Sequence, residues 1–227
     1  DTQSFCEACG TQLPEAGGSS TYQPLLGSDP TSVAEYQVLG RLGSGGFGVV
    51  YAATDSHGQQ VALKVLRAEL SDDQRFRRRL AREAQALRRG SGDRTVKIID
   101  VVTEGDQAYL VMELLAGETL DDRVENRGPL QAALLWFAAQ GLIEALRDIH
   151  SAGIIHRDLK PSNVMYGPDG IKVLDFGISI VAEETSLTQT GGFMGTAAWI
   201  SPEQVMGHDV TEATDVFNFG LVMAFAA

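Results

Sequence analysis

The stretch Ile155-His156-Arg157-Asp158-Leu159-Lys160-Pro161-Ser162-Asn163 decides the reading of this chain, and Asp175-Phe176-Gly177 follows 17 residues after Asp158. The bland reading of each acid is a solvated carboxylate or a helix cap. What stands upstream argues against it. Gly43-Ser44-Gly45-Gly46-Phe47-Gly48-Val49-Val50 lies between two expected strands, where residues without a Cβ let backbone N–H groups approach phosphate oxygens. Alone, such glycines suit any hairpin. The next strand carries Val61-Ala62-Leu63-Lys64. A lysine inside an apolar strand is costly to bury unless it is paired, and Glu83, on the inward side of the following helix, is its natural partner.

Working outward, short apolar runs separated by turns predict strands over Tyr36 to Leu42, Val49 to Thr54 and Gln60 to Leu66, with Ser56-His57-Gly58 turning the last two. Phe76, Leu80, Ala84 and Leu87 recur at helical spacing, with most of a run of arginines on the other face. Two more strands are expected over Val96 to Val102 and Ala108 to Leu115. After Gly117 the pattern is mostly helical: Pro129 suits the first turn of a helix through Leu134, Phe137, Leu142 and Leu146, and Asp215 to Ala227 is an apolar helix. A sheet-rich first half and a helix-rich second half predict two lobes with a cleft between them.

In this order and with these gaps, the motifs resemble those of the protein kinase family, bacterial serine/threonine kinases in particular, over Tyr36 to Ala227. The resemblance implies an α+β, bilobal fold. Its N-lobe, about 36–115, would be an antiparallel sheet with one main helix, and its C-lobe, about 116–227, mainly helical and incomplete. The implied reaction transfers the γ-phosphate of ATP to Ser or Thr hydroxyls of protein substrates, with Mg2+ or, in its place, Mn2+. Such transfer asks the protein for in-line placement and charge neutralisation. Lys64, held by Glu83, would contact the α/β-phosphates; Asn163 and Asp175, hard oxygen donors, would hold the metal. Asp158 would accept the proton of the substrate hydroxyl and Lys160 would steady the moving phosphate. Leu42, Gly43, Gly45 and Gly48 would cover the nucleotide. Val50, Ala62 and Met165 would sandwich adenine, Met112 would guard the back of its pocket, and the backbone of Glu113 and Leu115 would bond its edge.

Lys160 and the later Gly195-Thr196 imply Ser/Thr over Tyr specificity. Arg157 beside Asp158 implies control by phosphorylation of the segment after Asp175, at Thr188 or Thr190, with two copies pairing transiently for mutual phosphorylation. Asp215 would hold the backbone of the His156-Arg157-Asp158 turn. Ser201-Pro202-Glu203 departs from the usual Ala-Pro-Glu. The helices expected to cover Phe219 to Phe225 are missing from the sequence, which leaves that apolar segment facing water and marks the chain as a piece of a longer kinase.

Composition bounds the rest. The 227 residues carry 18 Lys+Arg against 30 Asp+Glu, a net charge of -12, which argues against nucleic acid as the main partner. Residues 67 to 94 hold an excess of four positive charges within that acidic whole. No run is long and apolar enough for a membrane span, no leader follows Asp1, and two cysteines make no disulfide framework; a cytoplasmic setting fits. Residues 1–35 read as a flexible tail in which Phe5-Cys6-Glu7-Ala8-Cys9 resembles half of a zinc ribbon, two thiolates of the four ligands zinc needs. The rival reading is a non-catalytic, ATP-binding or scaffolding fragment of a kinase.

Overall fold

In this computed structural model, residues 22–90, 92–174 and 197–227 are described. They form two compact units: residues 22–89 with 97–115, and the described residues of 90–96 with 116–227.

The first unit is an antiparallel sheet of six strands: β1 (Ser32–Val33), β2 (Tyr36–Gly45), β3 (Gly48–Thr54), β4 (Gln60–Leu66), β5 (Ile98–Val102) and β6 (Tyr109–Glu113). Their order is β1-β2-β3-β4-β6-β5. Side chains alternate between the faces of a strand, so register decides which residues share a face. Val50, Lys64 and Leu110 align across β3, β4 and β6, and so do Ala52, Ala62 and Met112. The other face carries Tyr51, Ala53, Val61, Leu63 and Val111, which join Val33, Tyr36, Val38 and Tyr109 in a buried cluster. Each large apolar side chain buried there contributes about 1.5–3 kcal/mol. The turn between β3 and β4 is tied by Asp55, whose Oδ1 accepts from the His57 and Gln59 N–H groups, both at 2.8 Å.

Two helices interrupt the strands, α1 (Ala68–Ser71) and α2 (Gln74–Gly90). Asp73 starts α2: its Oδ1 accepts from the N–H groups of Arg75 at 2.8 Å and Phe76 at 3.3 Å, two donors the first turn leaves open. Phe76, Leu80 and Ala84 are buried, while Arg75, Arg78 and Arg82 lie in solvent. Helical spacing is thus realised as expected.

The second unit contains β7 (Glu118–Thr119), α3 (Leu120–Arg127), α4 (Ala132–Ser151), β8 (Val164–Gly167), β9 (Gly170–Val173), α5 (Pro202–Met206) and α6 (Glu212–Ala226). The three strands pair in the order β7-β8-β9. Ala138, Leu142, Ala145, Leu146 and Ile149 bury one face of α4. Thr214, Asp215, Asn218 and Val222 do the same for α6.

Several expectations need correction. The tail does not extend to residue 35: Gln23 pairs with Arg41, and β1 pairs with Tyr36 and Gln37, so residues 22–35 belong to the sheet unit. β5 begins at Ile98 rather than Val96, because the Val96 N–H donates to the Val173 carbonyl at 3.0 Å. Pro129 lies before α4 and outside its first turn. The Leu130 N–H donates to the Ala226 carbonyl at 2.8 Å, and the chain stays extended through Gln131. Of the apolar segment in α6, Val222 is fully buried, against the expectation for it, whereas Phe225 is exposed as expected and meets Trp199 edge-on at 5.6 Å. Among the described residues, no helix is long and apolar enough to cross a membrane.

Candidate active site

The sheet unit places one group of the expected residues on a common face. Lys64 is 5% exposed, with its ammonium 6.0 Å from the Phe47 ring centroid. Val50 stands directly across from it on β3, and Ala62 and Met112 share its face two residues away. Glu83 is partly buried on α2, off the arginine face. Burial of a lysine costs free energy unless its charge is paired or otherwise compensated.

The hairpin between β2 and β3 separates two kinds of glycine. A Cβ at Gly48 would run into the Val65 carbonyl, so that glycine serves the fold. A Cβ at Gly43, Gly45 or Gly46 would meet no atom of the chain within 4 Å. Packing therefore does not require those three to be glycine. What they keep bare is backbone, the feature that lets N–H groups reach a phosphate. Leu42 enters this hairpin exposed. At the far end of β6, the Glu113 N–H donates to the Lys97 carbonyl at 3.0 Å, so that donor is already engaged within the sheet unit.

In the second unit, Asp158, Lys160 and Asn163 are drawn into one knot. Lys160 Nζ donates to Asp158 Oδ2 at 2.8 Å. Asn163 Nδ2 donates to the Asp158 carbonyl at 2.8 Å and to its Oδ2 at 3.3 Å. Asn163 is 8% exposed, and with its amide nitrogen committed in this way its Oδ1 points elsewhere, a hard oxygen donor of the kind Mg2+ takes. Met165 follows on β8, partly buried.

The knot is held from beneath. Asp215, fully buried on α6, accepts from the His156 N–H through Oδ2 and from the Arg157 N–H through Oδ1, both at 2.8 Å. This is the role expected of it. Arg157 turns through a positive φ of 67°, a conformation a non-glycine residue adopts only when held. His156 accepts the Asp158 N–H at Nδ1, 3.3 Å away, so its Nε2 carries the proton and donates to the Leu174 carbonyl at 2.9 Å. The Leu174 N–H in turn donates to the Asn163 carbonyl at 2.8 Å. Leu174 immediately precedes Asp175.

Two supports were not foreseen. His150 Nε2 donates to Asp215 Oδ2 at 2.7 Å. Gln204 Nε2 donates to the Arg157 carbonyl at 3.0 Å. Gln204 could have been suspected from the capping pattern Ser201-x-x-Gln204, but nothing in the sequence links His150 to a residue 65 positions away. Glu203 accepts a hydrogen bond from the Thr214 hydroxyl, which is the main cause holding its carboxyl below the usual range. Asp175, Thr188, Thr190 and the Cys6/Cys9 pair lie outside the described residues.

These features can be set beside known proteins. The protein kinase domain matches residues 36–226. The serine/threonine-protein kinase AfsK of Streptomyces coelicolor is 43% identical over 204 residues, 89% of this chain and 26% of AfsK. PknA of Mycobacterium tuberculosis, also a serine/threonine-protein kinase, is 37% identical over 199 residues, 85% of this chain and 46% of PknA. Among solved structures, the Mycobacterium tuberculosis PknI kinase domain superposes with a TM-score of 0.67 at 25% identity, covering 85% of this chain and 72% of that one. The chain belongs to the protein kinase family, and its relatives place it in the bacterial serine/threonine branch. It spans about a quarter of the length of AfsK.

Proposed function

We propose that this chain is the catalytic part of a protein serine/threonine kinase that transfers the γ-phosphate of ATP to protein hydroxyls in the cytoplasm. The observation that carries the reading is the Asp158–Lys160–Asn163 knot, a carboxylate, an ammonium and an amide oxygen fixed within one short turn.

The roles follow from their chemistry. Asp158 accepts the proton of the substrate hydroxyl as its oxygen bonds to the γ-phosphorus and the bond to the departing ADP oxygen breaks. Lys160, already against Asp158, offsets negative charge on the moving phosphoryl group. Lys64 binds the α/β-phosphates, with Glu83 orienting it, and the bare backbone of Gly43, Gly45 and Gly46 approaches the same phosphates. Asn163 Oδ1 and Asp175 would hold Mg2+, which supplies neutralising charge to the phosphate chain when bound. Met112, Val50, Ala62 and Met165 offer adenine an apolar surround.

Arg157 adds a control. Its Nε is buried without a hydrogen-bond partner among the described residues. A phosphate on Thr188 or Thr190 would supply that partner, added by a second copy of the chain. Incubation with Mg·ATP followed by mass spectrometry tests both statements. Phosphate is expected on Ser or Thr, with Thr188 or Thr190 among the sites, and none is expected with Asp158→Asn. A wild-type chain that binds ATP yet gains no phosphate and transfers none to a protein substrate would favour the scaffolding role instead.

A further inference from the structure

The segment before the kinase-matching region is fitted to the glycine-rich hairpin by an ionic clamp. Gln23 and Arg41 exchange both backbone hydrogen bonds at 2.8 Å, so residue 23 closes the open edge of β2 just before the chain enters Gly43–Gly48. Asp29 lies beneath this pairing, its side chain 5% exposed. Oδ2 accepts the Leu26 N–H at 2.7 Å, which closes the turn 26–29, and lies 3.4 Å from Arg41 Nη1. Oδ1 accepts the Tyr51 hydroxyl at 2.9 Å. Arg41 and Tyr51 are register partners on β2 and β3. One carboxylate therefore ties both arms of the hairpin to the preceding segment.

Three independent observations say that this fit is specific. The β2–β3 ladder slips between Val38 and Gly40 and again between Arg41 and Gly43, so regular pairing is broken on both sides of Arg41 and the ladder alone fixes it poorly. Gly40 has no room for a side chain: a Cβ would overlap the Tyr22 ring and stand 2.7 Å from the Gln23 carbonyl. Leu25 packs against the apolar cluster that contains Tyr51, Leu63 and Val111. The ionisation states agree with the geometry. Burial pushes the Asp29 carboxyl up, but the Leu26 N–H, the Tyr51 hydroxyl and the Arg41 charge together hold it below its ordinary value. Burial and the bond to Asp29 push the Tyr51 hydroxyl up to about 12, so it donates at any physiological pH.

We infer that Asp29 is a positioning residue for nucleotide binding, clamping Arg41 and Tyr51 so that the glycine-rich hairpin is held in register before ATP arrives. The inference rests on the kinase reading above. A hairpin held in advance loses less freedom when it closes on phosphates, and binding is tighter by that difference. Without the clamp the effect falls on nucleotide affinity rather than on the chemical step, because Asp29 touches neither phosphate nor hydroxyl.

The test measures ATP dissociation constants, kcat and melting temperature for wild type, Asp29→Asn, Asp29→Glu and Tyr51→Phe, with hydrogen exchange followed along the chain. Asp29→Asn is expected to weaken ATP binding about tenfold, the size of one lost charge-assisted bond, with kcat within about twofold. Exchange should rise in residues 40–50 and not in the second unit, and Asp29→Glu should recover part of the affinity. Unchanged ATP affinity in Asp29→Asn would overturn the inference, as would a loss of affinity matched by equal loss of kcat and by faster exchange throughout the molecule. A wild-type chain that failed to bind ATP would instead overturn the kinase reading itself, which keeps the two failures distinguishable.

Discussion

Asp215 illustrates how much one buried side chain can govern. It offers two oxygens to three donors, the His156 and Arg157 N–H groups and His150 Nε2. Hydrogen bonds to a charged group contribute about 1.5–3 kcal/mol each, and a buried donor left without a partner costs about 1–3 kcal/mol. In Asp215→Asn the amide nitrogen would face a backbone N–H, so one arm of the turn comes loose. The expected result is a fall in kcat of about tenfold or more, with ATP affinity near wild type, read by separate binding and rate measurements. Equal losses in both would place Asp215 in general stability instead. At this scale the sequence displayed Asp158, Lys160, Asn163 and the Asp215 anchor, because each sits in a short motif. It concealed the bonds of His150 to Asp215 and of Asp29 to Arg41 and Tyr51, which join residues distant in the chain and leave no local spacing to read.

Elements were legible in proportion to their periodicity. Gln60–Leu66 is found as a strand with the bounds its apolar run predicts, and Gln74–Gly90 is a helix because Phe76, Leu80 and Ala84 return to one buried face. The helix Leu120–Arg127 was not foreseen, since Leu120 is its only buried residue. A cap defines it instead: the Thr119 hydroxyl oxygen accepts the Asp122 N–H at 3.0 Å. Caps also decide the short helix Pro202–Met206, where Ser201 Oγ accepts the Gln204 N–H at 3.4 Å and Gln204 Oε1 accepts the Ser201 N–H at 3.0 Å. Ser201→Ala should destabilise the chain by about 1 kcal/mol and lower its melting temperature by about 2–4 °C. Because Gln204 also reaches the Arg157 carbonyl, kcat should fall with it. A melting curve identical to wild type would show that the cap is dispensable.

Across the whole molecule, the division into a sheet unit and a mainly helical unit follows the change in patterning near Gly117, and the first residue of the second long stretch is Ala116. Legibility failed where the chain crosses that division. Residues 90–96 group with the later stretch, through bonds such as Val96 N–H to the Val173 carbonyl, and no periodicity could announce them. The early tail misled for another reason: its prolines and glycines suggest loose chain, while backbone pairing at Gln23 and at β1, together with the Asp29 carboxylate, fastens its later part to the sheet.

We propose that Lys64, in the sheet unit, binds nucleotide and that Asp158, in the mainly helical unit, takes part in the chemistry of phosphoryl transfer. Single-turnover transfer from saturating Mg·ATP, measured beside ATP affinity, tests it most directly. Asp158→Asn should bind ATP as wild type does and transfer about 100- to 10,000-fold more slowly. Lys64→Met should lose transfer together with productive ATP binding. Transfer by Asp158→Asn at the wild-type rate would contradict the claim.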